Sequence, residues 1–159
     1  FYKMKAASLS EIKKELLRND PVQLSELILR LARYKKENKE LLTYLLFESD
    51  NEAAYIESIK AETDAFFEDI NSSNLYFAKK SIRKIVRNIT KHARYSGNQE
   101  TLAELLIYFC KCLKNSGIPF ENSAALSNLY AAQIKKIKKA IESMHEDLQY
   151  DFKKELKNL

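Results

Sequence analysis

Apolar residues recur along this chain at spacings of three and four, and period-two alternation is hard to find anywhere. Leu9, Ile12 and Leu16 make the first stripe, behind Ser8 and Glu11 at the spacing of a capping box. Asp20 before Pro21, with Gln23 at the third helical position, opens a second helix that Leu24, Leu27, Ile28 and Leu31 carry to Tyr34. After the polar stretch 35–39, Leu41, Leu42, Leu45 and Leu46 define a third. Ser49 and Glu52 read as another capping box, starting a fourth helix through Tyr55, Ile59, Phe66 and Ile70. The polar cluster 71–74 interrupts the pattern, and Ile82, Ile85, Val86 and Ile89 mark a fifth helix ending near Gly97. Leu102, Leu105, Leu106, Phe109 and Leu113 mark a sixth, stopped by Gly117, Ile118 and Pro119. Ser123 caps a long last helix in which Tyr130, Ile134, Ile137, Ile141, Met144 and Leu148 hold a heptad stripe; Phe152 and Leu156 then drift off the seam.

The spacing therefore predicts an all-α chain of about seven helices. Two glycines and two prolines in 159 residues leave little material for hairpin turns, which argues the same way. The length suits one domain able to bury a core without disulfides or metals. Its expected parts are an N-terminal helix at 7–19, a three-helix unit at 20–70, and a second three-helix unit at 74–159 containing the long C-terminal helix. An internal echo supports that division. Ala32-Arg33-Tyr34 recurs as Ala93-Arg94-Tyr95, each followed by Glu-Leu-Leu and a tyrosine, at Glu40 to Tyr44 and at Glu104 to Tyr108. Leu24 and Ile28 correspond to Ile85 and Ile89, and residues 51–54 align with 122–125. Such units bury their apolar faces by stacking, as a helical repeat or bundle, and repetition of this kind favours a protein-binding scaffold or adaptor.

The run from Leu9-Ser10-Glu11 to Leu16, the segment Ala78-Lys79-Lys80-Ser81-Ile82, the stretch 102–108 and the segment from Pro119-Phe120 to Leu129 together resemble an uncharacterised family of small bacterial all-helical proteins, known only as a domain of unknown function. The resemblance implies a helical fold and carries no activity or site residues across.

Charge adds one feature. The net charge is +5, and the fifth helix carries Lys79, Lys80, Arg83, Lys84, Arg87, Lys91 and Arg94, with no acidic residue from 75 to 99. At about 100° per residue these seven cations fall within an arc of about 140°, beside a separate apolar arc of about 100°. Such a face suits nucleic-acid phosphates or another anionic partner. The competing expectation is that the acidic fourth helix, with Glu48, Asp50, Glu52, Glu57, Glu62, Asp64, Glu68 and Asp69, answers it across a short turn.

Candidate chemistry is sparse. Cys110 and Cys112 point to nearly opposite sides of a helix, cannot close a relaxed bridge, and read as reduced packing residues. His92 and His145 are isolated in sequence, so no metal site and no cofactor is expected. His92 reads as a hydrogen-bonded boundary residue. Nucleophile-elbow, P-loop and dinucleotide signatures are absent, which argues against an enzyme. The heptad stripe has two readings, a core face or a homodimer seam on the C-terminal helix, and the region beyond Leu148 is a candidate for a protruding helix. No secretory signal and no apolar run of roughly 20 residues is found, which points to the cytoplasm. The sequence opens at Phe1, which fits a fragment or a native start at Met4.

Overall fold

A computed structural model describes residues 5–159. Phe1 and Met4, the alternative starts, lie outside the described residues. All regular structure among these is helical: α1 (Leu9–Leu16), α2 (Pro21–Tyr34), α3 (Lys36–Thr43), α4 (Glu52–Glu68), α5 (Leu75–Ser96), α6 (Gln99–Asn115), α7 (Ala124–Glu142) and α8 (Glu146–Lys157). A π-helical turn at Tyr44–Glu48 and a 3₁₀ turn at Phe120–Asn122 complete the order. The chain divides into two compact units, the first ending at Leu46 and the second running Phe47–Leu159. Residues 71–74 are a turn inside the second unit.

Local chemistry explains the helix ends. Ser8 and Glu11 form a reciprocal capping box, as do Asp20 and Gln23, with Pro21 in the first turn of α2. Gly97 (φ 69°) and Gly117 (φ 72°) take the left-handed backbone that ends α5 and follows α6, where a β-carbon would be strained. One expected cap moves. Asn51, not Ser49, caps α4 by accepting from the Ala54 N–H at 3.1 Å. Glu52 is thereby free to reach the helices that follow, accepting from Thr101 Oγ1 at 2.5 Å and from Ser96 Oγ.

The expected long C-terminal helix is two helices, which makes eight where about seven were expected. Ser143 closes α7 by donating its hydroxyl to the Ala140 carbonyl at 2.7 Å. Gln149 Nε2 takes up the Met144 carbonyl at 2.9 Å, and the ring of His145 caps α8, its Nδ1 accepting from the Asp147 N–H at 3.4 Å. The heptad spacing runs on through this break because Met144 and Leu148 still face inward, half-buried, after the turn. The seam is spent inside the second unit, where Ile137 and Ile141 are buried and α7 packs on α6. The helix beyond Leu148 does not protrude: α8 packs on α6 and α7, and Lys111 Nζ meets Glu155 Oε2 at 2.9 Å.

In the second unit α6 is central, packed by α4, α5, α7 and α8. Its apolar positions from Leu105 round to Ile107 span about 200° of the helix, a width that suits a helix enclosed on most sides. Ala103, Leu105, Leu106, Ile107, Phe109, Cys110 and Leu113 are accordingly buried. The first unit has no such centre. Its α2 and α3 pack together, with Asn38 Nδ2 donating to the Leu31 carbonyl at 2.8 Å, yet no residue of α1, α2 or α3 is buried.

Candidate functional site

The seven cations of α5 separate into two groups. On the α4 side, Lys84 Nζ lies 5.3 Å from the Phe66 ring centroid, and the neighbouring Asn88 donates to Glu62 at 2.8 Å. The acids of α4 divide: Glu62 and Glu52 meet Asn88, His92 and Ser96 of α5, while others turn elsewhere. Glu57 pairs with Lys60 on its own helix, and Asp64 accepts from the Tyr108 hydroxyl at 2.7 Å.

Lys79, Lys80, Arg83 and Arg87 turn the other way. With Tyr76, Val86 and Leu129 of α7 they line an open hollow of about 530 Å³. Among the described residues none of these four cations has an ion pair. Lys79 is half-buried, the other three are exposed, and Tyr76 stands 69% exposed at the mouth. Arg94 is exposed on the same edge and lies outside the hollow. Two turns beyond Leu129, Lys136 lies on the same edge of α7 and extends the positive field. The site thus gathers charge from α5 and an apolar floor from both helices, which a single-helix reading does not reveal.

His92 sits where α4, α5 and Tyr95 meet. Its Nδ1 is 2.8 Å from the Tyr55 hydroxyl, its Nε2 is 3.8 Å from Glu62, and both tyrosine rings are edge-on to it. Tyr55 and Glu62 come from α4, so the isolation of His92 in sequence concealed them. On the facing side of α6, Lys60 Nζ bonds Glu104 at 2.7 Å and Glu57 at 2.8 Å. Burial disfavours its charge, but those two carboxylates outweigh it and hold the ammonium above its usual value. The hydrogen bond to Asp64, then burial, pushes the Tyr108 phenol up. Cys112 lies beside the same carboxylate at 3.7 Å, and burial, then the Asp64 charge, pushes its thiol up to about 11. Burial alone raises Cys110 to about 12. These thiols are held protonated, the opposite of what a nucleophile needs. Among the described residues no three of His, Cys, Asp and Glu gather as a metal site requires, and no helix is long and apolar enough to cross a membrane.

The first unit carries a second surface, which the repeat reading expected stacking to bury. Along α2, apolar side chains from Tyr34 round to Val22 span about 240° of the helix, more than on central α6. Yet Leu27, Ile28, Leu29 and Leu31 are each 42–60% exposed, and Val22 and Tyr34 more so. Ile12 and Leu16 of α1, with Leu27 and Leu31 of α2, floor an open groove of about 850 Å³, walled by Glu11 and Glu15 on one side and Arg30 and Arg33 on the other. A smaller hollow of about 260 Å³ lies between α2 and α3 over Ile28, Leu31, Leu41 and Leu45. The signal was present in the sequence as the width of the apolar arc of α2, too broad for a helix with one neighbour.

No protein-family model, no curated protein and no solved structure matches this chain.

Proposed function

We propose that this chain is a non-enzymatic helical-repeat module of the cytoplasm that binds a protein partner through the apolar face of its first unit. One observation carries the reading: α2, apolar over about 240° of its surface, has no buried residue. Thirteen large apolar side chains from Leu9 to Leu46 are exposed. An apolar surface on that scale marks an interaction site, because each side chain left partly in water forgoes a share of the roughly 1.5–3 kcal/mol that full burial supplies. The echo between α2–α3 and α5–α6 supports the repeat, since equivalent positions then share one way of docking a neighbouring helix.

Affinity capture from native lysate with nuclease treatment, run for the wild type beside a Leu27→Glu, Leu31→Glu variant, tests this. A protein retained after nuclease and lost with the variant, another copy of the chain included, supports it. A retained set that the variant leaves unchanged overturns it.

A second reading, nucleic-acid binding, is favoured by the hollow in which Lys79, Lys80, Arg83 and Arg87 converge without acidic partners beside exposed Tyr76. Four phosphate contacts would make affinity fall with salt at a slope of roughly −3 to −4 on logarithmic axes. Fluorescence anisotropy with DNA and RNA oligonucleotides across a salt series measures it. Arg83→Glu with Arg87→Glu should weaken binding by about tenfold or more and flatten the slope; binding unchanged by that pair removes the reading.

A further inference from the structure

We infer that the partner of the first unit is a second copy of this chain, docked two-fold on the groove between α1 and α2. The inference rests on the reading that this face binds protein, and names what it binds. Three observations lead to it.

The face needs a cover of its own size, and the chain's second unit offers none. There the exposed large apolar side chains are only Phe47, the neighbouring Tyr76 and Phe77 of α5, and Tyr150 of α8, too few and too scattered to match it. Of the thirteen, Ile12, Leu16, Leu27, Leu31 and Tyr34 line the groove, so a second copy brings a face of the same apolar character.

The rims of the groove are self-complementary. One wall, on α1, carries Glu11 and Glu15; the other, on α2, carries Arg30 and Arg33. A two-fold axis along the groove sets the α2 wall of each chain against the α1 wall of the other, so arginine meets glutamate twice over. Arg30 and Arg33 have no ion pair among the described residues. Glu15 has only the exposed, local pair with Arg18 at 2.8 Å, of the kind that contributes little and yields to a better partner. An unrelated acidic helix would satisfy the α2 wall and leave the carboxylates of α1 facing its own acids.

The third observation concerns α1. It packs extensively on no other helix, and its inner residues Ile12 and Leu16 are 43% and 40% exposed. A helix of eight residues has little stability alone, so the second chain supplies the fourth side that closes α1, α2 and their symmetry mates into a four-helix bundle.

Sedimentation equilibrium of the full chain from about 1 to about 100 μM tests the inference, with 8-anilinonaphthalene-1-sulfonate fluorescence on the same samples. The expected result is a dimer, twice 18.5 kDa, that the Leu27→Glu, Leu31→Glu variant abolishes across the range while the second unit melts as before. Arg30→Glu with Arg33→Glu should weaken it by about tenfold or more, and mixing that chain with a Glu15→Arg chain should recover a heterodimer tighter than either homodimer. A dimer indifferent to the Leu27 and Leu31 substitutions overturns the inference. So does a monomer throughout, and the dye then separates the causes. Dye bound by the monomer and released by the variant leaves the protein-docking reading standing without self-association; a monomer that binds no dye removes both.

Discussion

Helices α2 and α6 are written alike and used differently. Each is apolar over most of its circumference, about 240° and about 200°. Four neighbours enclose α6, and its Leu105, Leu106 and Phe109 are at most 1% exposed. Within its unit α2 packs on α3, and its leucines stand in solvent. The echoed positions make the contrast sharper: Ile89 is 1% exposed where its counterpart Ile28 is 45%, and Tyr95 is 9% exposed where Tyr34 is 77%. An apolar helix face is a demand for burial, and the sequence states the demand without naming the supplier. In the second unit the chain supplies it; in the first, the demand goes unmet among the described residues.

Core truncation should break this comparison most strongly. Phe109→Ala is expected to cost about 3–5 kcal/mol in chemical denaturation of the second unit, whereas Leu31→Ala, measured where the chain is monomeric, should cost under about 1 kcal/mol. Equal losses would mean that Leu31 is covered after all.

The next effect concerns the join between α4, α5 and α6. Glu52→Ala leaves the Ser96 and Thr101 hydroxyls without their shared acceptor and is expected to cost about 1–3 kcal/mol, with faster amide exchange at the α5–α6 turn and none at α2.

Titration separates the units by direction. Lys60, Tyr108 and Cys112 have raised values in the folded second unit, so they bind protons more tightly folded than unfolded. Their stabilising contribution is complete below the unfolded values and is lost as pH rises through the folded ones. The urea midpoint of the second unit should therefore fall as pH passes 9.0, the ordinary thiol value, and continue falling through about 11 for Cys112 and about 12 for Cys110; Cys112→Ala should remove part of that slope. Glu11, whose carboxylate is held below its ordinary value by the Ser8 hydroxyl and backbone, has the opposite sign. The cap of α1 should fray as pH falls below about 4.5, seen as faster exchange at α1 alone.

The smallest expected change is a gain. Gln133 is 3% exposed, its Nε2 donates to the Leu129 carbonyl at 3.0 Å, and its buried Oε1 meets no donor among the described residues. Gln133→Met keeps the volume and removes that acceptor, and should raise the stability of the second unit by up to about 1 kcal/mol.

Much of the helical grammar was legible from the chain alone. The Ser8–Glu11 and Asp20–Gln23 boxes, the Ser123 cap and the stop at Gly117 are interactions between residues two to four apart, so they are written where they act. The basic residues of α5 were legible for the same reason. Which of them lack acidic partners was not, because Asp64 is drawn to Tyr108, 44 positions away, and because the hollow needs Leu129 from α7. The break at Ser143 was hidden by apolar spacing that continues through it, since a stripe records which side of the chain faces inward and not whether the backbone turns.

By itself the sequence determined that this protein is helical, where most of its helices begin and end, and which side chains seek burial, because those are set by local hydrogen bonding and by the chemistry of each residue. Only the tertiary structure decided which of them obtain it. Burial depends on neighbours far along the chain, and it separates the satisfied leucines of α6 from the unsatisfied leucines of α2.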